Sequence, residues 1–168
     1  SMSVRTLDLA ALYSSERGRL HRLIKRIVGN RTIAEDLTQD TYIKLHAHPV
    51  GAADRGLLFR TAQNLALDHL RGQRVRDGYA RAAQIEQDAV DEHAPEHVLA
   101  MREELEALLA ALATLPKRTQ QIFLLSKLDG MSHPQIAKAL GISVSTVEKD
   151  MVRAISFCRT WQRNRDTE

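Results

Sequence analysis

Leu9, Leu12, Leu20, Leu23, Ile24 and Ile27 recur at helical spacing and predict a first helix over residues 7–28, which Gly29 and Asn30 stop. Thr32 followed by Glu35 reads as a capping box that opens a second helix ending near His46. Pro49 and Gly51 mark a loop reaching about Arg55, and a third helix covers about 56–73. The pattern then changes. From Gln84 to Glu96 the chain carries Glu86, Asp88, Asp91, Glu92 and Glu96 with no Lys or Arg, and Pro95 closes this weakly apolar stretch. A helix follows over about 96–113, another runs from Pro116 through Lys127, and Gly130 stops it. The expected fold is all-α: two small helical domains, 7–76 and 96–163, joined by an acidic linker over 77–95.

The sharpest local signals lie near the C-terminus. Ser132 with Gln135 forms a second capping box, and Ile136, Ala137 and Leu140 make an inward stripe. Gly141 supplies a tight turn, and Ser143 caps the next helix. This is the spacing of a helix-turn-helix. Projected at the helical period, its second helix puts Val144, Val147, Met151, Ala154, Ile155 and Cys158 on one face. Ser145, Lys149, Arg153 and Ser156 fall on the opposite face, with Thr146 at its side and Glu148 and Asp150 on the flanks. Hydroxyl, ammonium and guanidinium groups so placed suit phosphates and base edges in a major groove. Ser143, Ser145, Thr146, Lys149 and Arg153 are therefore the expected DNA contacts. The competing reading, an amphipathic hairpin with a merely solvated face, is disfavoured by the double capping and the glycine turn.

The third helix projects Leu58, Ala62, Leu65, Ala66 and His69 to one side. Arg60, Asn64, Arg71 and Arg74 line the other, with Leu57 and Leu67 among them. A basic stripe holding an amide suits a phosphate backbone, although most such stripes are only solvated faces. On the second helix Ala34, Leu37 and Thr41 point inward, while Glu35, Gln39, Tyr42 and His46 form an outer stripe beside Asp36 and Ile43. An exposed Tyr and Ile rimmed by acids suits protein docking; the alternative is that both pack on the first helix.

The formal net charge of +3 permits a nucleic-acid partner without establishing one. A single cysteine, Cys158, excludes an internal disulfide and reads as a small core residue. No apolar run is long enough to cross a bilayer, and no signal-peptide pattern opens the chain, so the expected compartment is the cytoplasm. Ser1 ahead of Met2 reads as an addition and is set aside. His46 with His48, and His93 with His97, lack a well-spaced third ligand, so no metal or other cofactor is expected. No catalytic triad or phosphate-binding glycine loop is present, and neither enzymatic activity nor a small-molecule substrate is expected. Ser14-Ser15 offers no setting for a resolvase-type nucleophile.

The string Ala34-Glu35-Asp36-Leu37-Thr38-Gln39-Asp40-Thr41-Tyr42-Ile43-Lys44-Leu45 resembles region 2 of bacterial extracytoplasmic-function sigma factors, as does the stretch from Leu57 to Arg71. The segment Leu112–Pro116, then Leu128–Ser132 and Ile136 to Arg153, looks like their region 4. Ser132-His133, Val147-Glu148-Lys149 and Arg153-Ala154 are most similar to the iron-starvation group, typified by ferric-citrate uptake regulators. The resemblance implies that Asp36, Gln39, Asp40 and Tyr42 dock on the clamp helices of the largest subunit of core RNA polymerase, with the flap as a further contact. It implies that His46 and the loop to Arg55 capture a flipped base of the −10 element, and that Asn64, Asp68 and Arg71 follow the opening strand. Arg60 and Arg74 of the basic stripe are expected to contact DNA beside them. The Ser143–Arg153 helix corresponds to the −35 reader, and the acidic connector to a linker in the polymerase cleft. A membrane-anchored anti-sigma regulator and iron-responsive promoter control are further expectations of this kind. Leu57 stands where the family commonly has Trp and cannot stack as an indole does. Asp150 stands where close relatives often have His, which removes a possible phosphate contact. The alternative function is a stand-alone helix-turn-helix regulator of response-regulator type, binding its duplex site tightly without polymerase.

Overall fold

The computed structural model describes residues 2–47, 55–76 and 96–167, with side chains from Leu9 onward. Among these residues the chain forms seven α-helices and one 3-10 turn. They are α1 (Met2–Val28), α2 (Arg31–Ala47), α3 (Arg55–Arg76), α4 (Glu96–Ala111), the turn Leu112–Thr114, α5 (Lys117–Lys127), α6 (His133–Leu140) and α7 (Val144–Asp166). The fold is all-α, as the periodicity predicts. Two compact units form, Ser1–Glu106 and Ala107–Glu168, and the division falls inside α4. The acidic stretch and the loop after His46, including His48 and His93, lie outside the described residues.

In the first unit α1, α2 and α3 pack on one another in all three pairs. Leu20, Leu23, Ile24 and Ile27 of α1 meet Leu58, Phe59, Ala62, Ala66 and Leu70 of α3 in a core closed to solvent. Ala34, Thr38 and Thr41 supply the inner face of α2. Their two hydroxyls, buried among apolar groups, donate to the Ala34 and Leu37 carbonyls at 2.6 and 2.8 Å, so neither is left unpaired. Arg55 pairs with Glu16 at 2.8 Å and ties the start of α3 to α1.

Two sequence expectations are corrected here. The cap of α2 is Asn30, whose Oδ1 accepts from the Ile33 amide at 2.9 Å, and not Thr32. Gly29 turns left-handed at φ +74, so the next helix begins at once and Thr32 falls within its first turn. On α3, Leu67 is fully buried rather than outward, joined by Phe59, Thr61 and Gln63. Because α3 packs on two helices, its buried arc is wider than a single stripe.

Arg102 of α4 closes the end of α1. Its guanidinium donates to the Arg26 and Ile27 carbonyls and lies 3.5 Å from the buried Glu106 carboxylate. The last carbonyls of a helix have no partner within it, and a cation there also opposes the negative end of the dipole.

The second unit packs α5 against α6 and α7 around Ile122, Leu124, Leu125, Ile136, Val147, Met151 and Ala154. Pro116 serves as the N-cap of α5, and the buried Gln120 amide donates to the Leu115 carbonyl at 2.6 Å, fixing that corner. Gly130 ends the α5 segment with φ +74.

Candidate nucleic-acid interface

The hairpin of α6 and α7 is set by contacts within a few residues of chain. Ser132 Oγ accepts from the Gln135 amide at 3.2 Å, and Gln135 Oε1 accepts from the Ser132 amide at 2.9 Å, completing the predicted capping box. Gly141 adopts φ +68 as the C-cap of α6, and nothing lies within 4 Å of a Cβ built there. Backbone conformation rather than space therefore demands the glycine. Ser143 accepts from the Thr146 amide at 3.1 Å and starts α7, its hydroxyl also 2.9 Å from Thr146 Oγ1.

From that start, α7 buries Val147, Met151 and Ala154 and exposes Ser145, Lys149, Arg153 and Ser156. Thr146 is half-buried beside them. The structure thus brings four of the five predicted recognition residues to one open face or its start, with Thr146 at the edge. Val152, which sequence reasoning passed over, shares that face with 69% of its surface exposed.

Asp150 requires correction. Expected on a flank, it is buried and accepts from Arg118 Nε at 2.7 Å across the α5–α7 contact. The hydrogen bond to Asp150 and its charge raise the Arg118 guanidinium pKa. Asp150 is a structural anchor of α7 and stands away from the solvent face where a phosphate would approach. Burial raises the Cys158 thiol pKa, with Lys127 opposing, which suits a protonated packing side chain.

In the first unit, α3 exposes Arg60 and Asp68 and leaves Asn64, Arg71 and Arg74 half-buried. Arg60, Asn64, Asp68 and Arg71 follow one another at helical spacing, so they share a face. Arg71 pairs with Asp68 at 2.6 Å, so the stripe is less basic than its arginines alone suggest. Leu57 is half-buried at the start of the same helix. His69 is half-buried, and burial, then the Arg76 charge, lowers its pKa, favouring the neutral imidazole expected of a core histidine.

On α2, Glu35, Asp36, Gln39 and Asp40 are exposed and Ile43 is 60% exposed. Tyr42 is not the open aromatic the pattern suggested. It is half-buried, its ring 4.8 Å from Tyr13 of α1 and 5.7 Å from the exposed His46. A groove of about 340 Å³ opens between α1 and α2 beside Gln39, lined by Tyr13, Arg17, His21 and Glu35 among others. Among the described residues no cluster of His, Cys, Asp and Glu could hold a metal ion, and no helix is long and apolar enough to cross a membrane.

These two surfaces coincide with two family matches. Residues 12–76 match the model of sigma-70 region 2, and residues 105–158 that of sigma-70, region 4. The ferric citrate uptake sigma factor FecI of Escherichia coli (strain K12) is 27% identical over 156 residues, covering 91% of this chain and 90% of that protein. The ECF RNA polymerase sigma factor SigL of Mycobacterium tuberculosis is 30% identical over 156 residues, with 90% and 86% covered. The RNA polymerase sigma factor NccH of Alcaligenes xylosoxydans xylosoxydans is 35% identical over 126 residues, with 71% and 68% covered. The chain belongs to the extracytoplasmic-function branch of the sigma-70 family and acts as an RNA polymerase sigma factor in promoter-specific transcription initiation.

Proposed function

We propose that this sigma factor holds its promoter at two points while docked on core RNA polymerase, and that it serves genes of iron uptake or cell-surface signalling. The observation that carries the first part is the open face of α7, on which Ser145, Lys149 and Arg153 stand clear of the core. That face enters the major groove of the −35 element, with Ser143 and Thr146 at its leading end. In the first unit, Arg60, Asn64, Asp68, Arg71 and Arg74, with His46, follow the −10 element as it opens. Asp36, Gln39, Asp40 and Tyr42 meet the clamp helices of the largest subunit, with the Tyr42 ring held against Tyr13 of α1. The flap holds the C-terminal unit. Residues 7–76 and 96–163 are the working domains, and the acidic stretch 77–95 spans the polymerase cleft. The protein acts in the cytoplasm, under a membrane-anchored anti-sigma regulator. The likeness to a ferric citrate uptake sigma factor supports the iron-related target set.

Replacing Lys149 with alanine is expected to weaken holoenzyme binding to −35-containing promoters about tenfold, while core binding stays intact. Asp40→Lys should do the reverse, because a reversed charge at an exposed docking position opposes core association and leaves α7 untouched. Titrating labelled core and labelled promoter with each variant separates the two roles; a Lys149→Ala protein with unchanged promoter affinity rules out the −35 assignment. The target set is read by sequencing transcripts after forced expression in iron-replete medium. An induced set without iron-uptake or surface-signalling genes contradicts that assignment.

A further inference from the structure

Val152 is 69% exposed in the third turn of α7, well above the 38% of Val144 at the helix start. Lys149 lies three residues before it, Ser156 four after it and Ser145 seven before it, all exposed, so its neighbours on that face are polar. Lone exposed valines are common. This one stands in the middle of the face that the reading above seats in DNA, and the inference rests on that reading. Along the axis it lies about 4.5 Å beyond Lys149 and about 1.5 Å short of Arg153. Around the axis it shares an arc with Ser145, Lys149 and Ser156, while Arg153 lies about 100° away. A helix held at base edges by Lys149 therefore carries Val152 into the groove beside it.

An isopropyl group offers no hydrogen bond to a base edge. The apolar group it meets in a major groove is the C5 methyl of thymine, whereas cytosine presents an amino donor that valine leaves unpaired. We infer that Val152 is a specificity-determining residue, packing on the methyl group of one thymine in the −35 element. The charged residues of this stretch point the same way. Glu148, exposed beside Lys149, lessens the attraction of this turn for phosphate, which gives shape and apolar contact more weight in recognition.

Holoenzyme reconstituted with core polymerase first selects a −35 element from a randomised promoter pool. Each thymine of that element, on either strand, is then replaced in turn by deoxyuridine, which removes the methyl group alone. At one position the wild-type holoenzyme should lose about three- to fivefold in affinity, the worth of one buried methyl group. The loss should disappear with Val152→Ser and persist with Val152→Ile. A selected element without thymine, a uridine series with no response, or a full loss retained by Val152→Ser would overturn the inference. Because the uridine series uses wild-type protein, it decides the question even if a variant folds poorly. Lys149→Ala is measured alongside: if it binds the selected element as tightly as wild type, the −35 reading itself fails, whereas a silent uridine series with a weakened Lys149→Ala removes only the role of Val152.

Discussion

Replacing Gly29 with valine is expected to destabilise the N-terminal unit by about 3 kcal/mol, a large share of the stability of a small helical domain. Two effects combine at this position. The backbone is left-handed at φ +74, which costs an L-residue about 1–2 kcal/mol and a β-branched one toward the upper end. A Cβ there would also lie 2.8 Å from Arg102 Nε and 2.9 Å from Nη2. The guanidinium is flexible and can swing aside, so the collision itself costs little. What is lost is its donation to the Arg26 and Ile27 carbonyls, charged hydrogen bonds worth about 1.5–3 kcal/mol each where water does not replace them. Gly29→Asn should cost less in backbone strain yet still displace Arg102. Urea unfolding of the single variants and of Gly29→Val with Arg102→Ala checks the account. The double variant should cost clearly less than the sum of the singles, since both remove the same cap. A Gly29→Val protein within 0.5 kcal/mol of wild type would contradict it.

Arg118→Ala is expected to lower the stability of the C-terminal unit by about 2 kcal/mol, because it leaves the Asp150 carboxylate buried without its donor. The Asp150 side chain is 4% exposed and that of Arg118 is 55% exposed. The carboxylate therefore carries the desolvation, and solvent screening around the arginine holds the figure below that for a fully buried pair. Removing both charges, with Arg118→Met and Asp150→Leu, should recover most of the loss, since an apolar pair of similar volume needs no compensation. Thermal unfolding of the three proteins measures this. Equal losses for the single and the double variant would show that the ion pair does not anchor α7.

What was legible in the sequence follows the range of the interaction. Ser132 with Gln135, the Gly141 turn and the Ser143 cap each close within a few residues, and all appear as expected. Asp150 could not be read this way, because its partner Arg118 lies 32 residues upstream and an isolated acid on a helix projects as solvated. Leu67 was misplaced for a related reason: α3 packs on both α1 and α2, and a one-stripe projection underestimates such an arc. Gly29 and Asn30 were legible as a stop but not as the start of α2. Tyr42 carries an aromatic signal that suits docking or packing equally, and Tyr13 on α1 decides its local role. Val152 gave no signal at all, since only its surroundings in the folded unit make an exposed valine informative.

The most direct test is of the claim that this chain reads promoters as part of polymerase and not alone. Core RNA polymerase, with and without the full chain, is given a template bearing −35 and −10 elements selected by the holoenzyme, and run-off transcripts are measured beside duplex binding by the free chain. The account predicts a promoter-specific transcript only when chain and core are combined, with weak binding of the free chain to the same duplex. Tight, site-specific binding by the chain alone, with no transcript on addition of core, would contradict it.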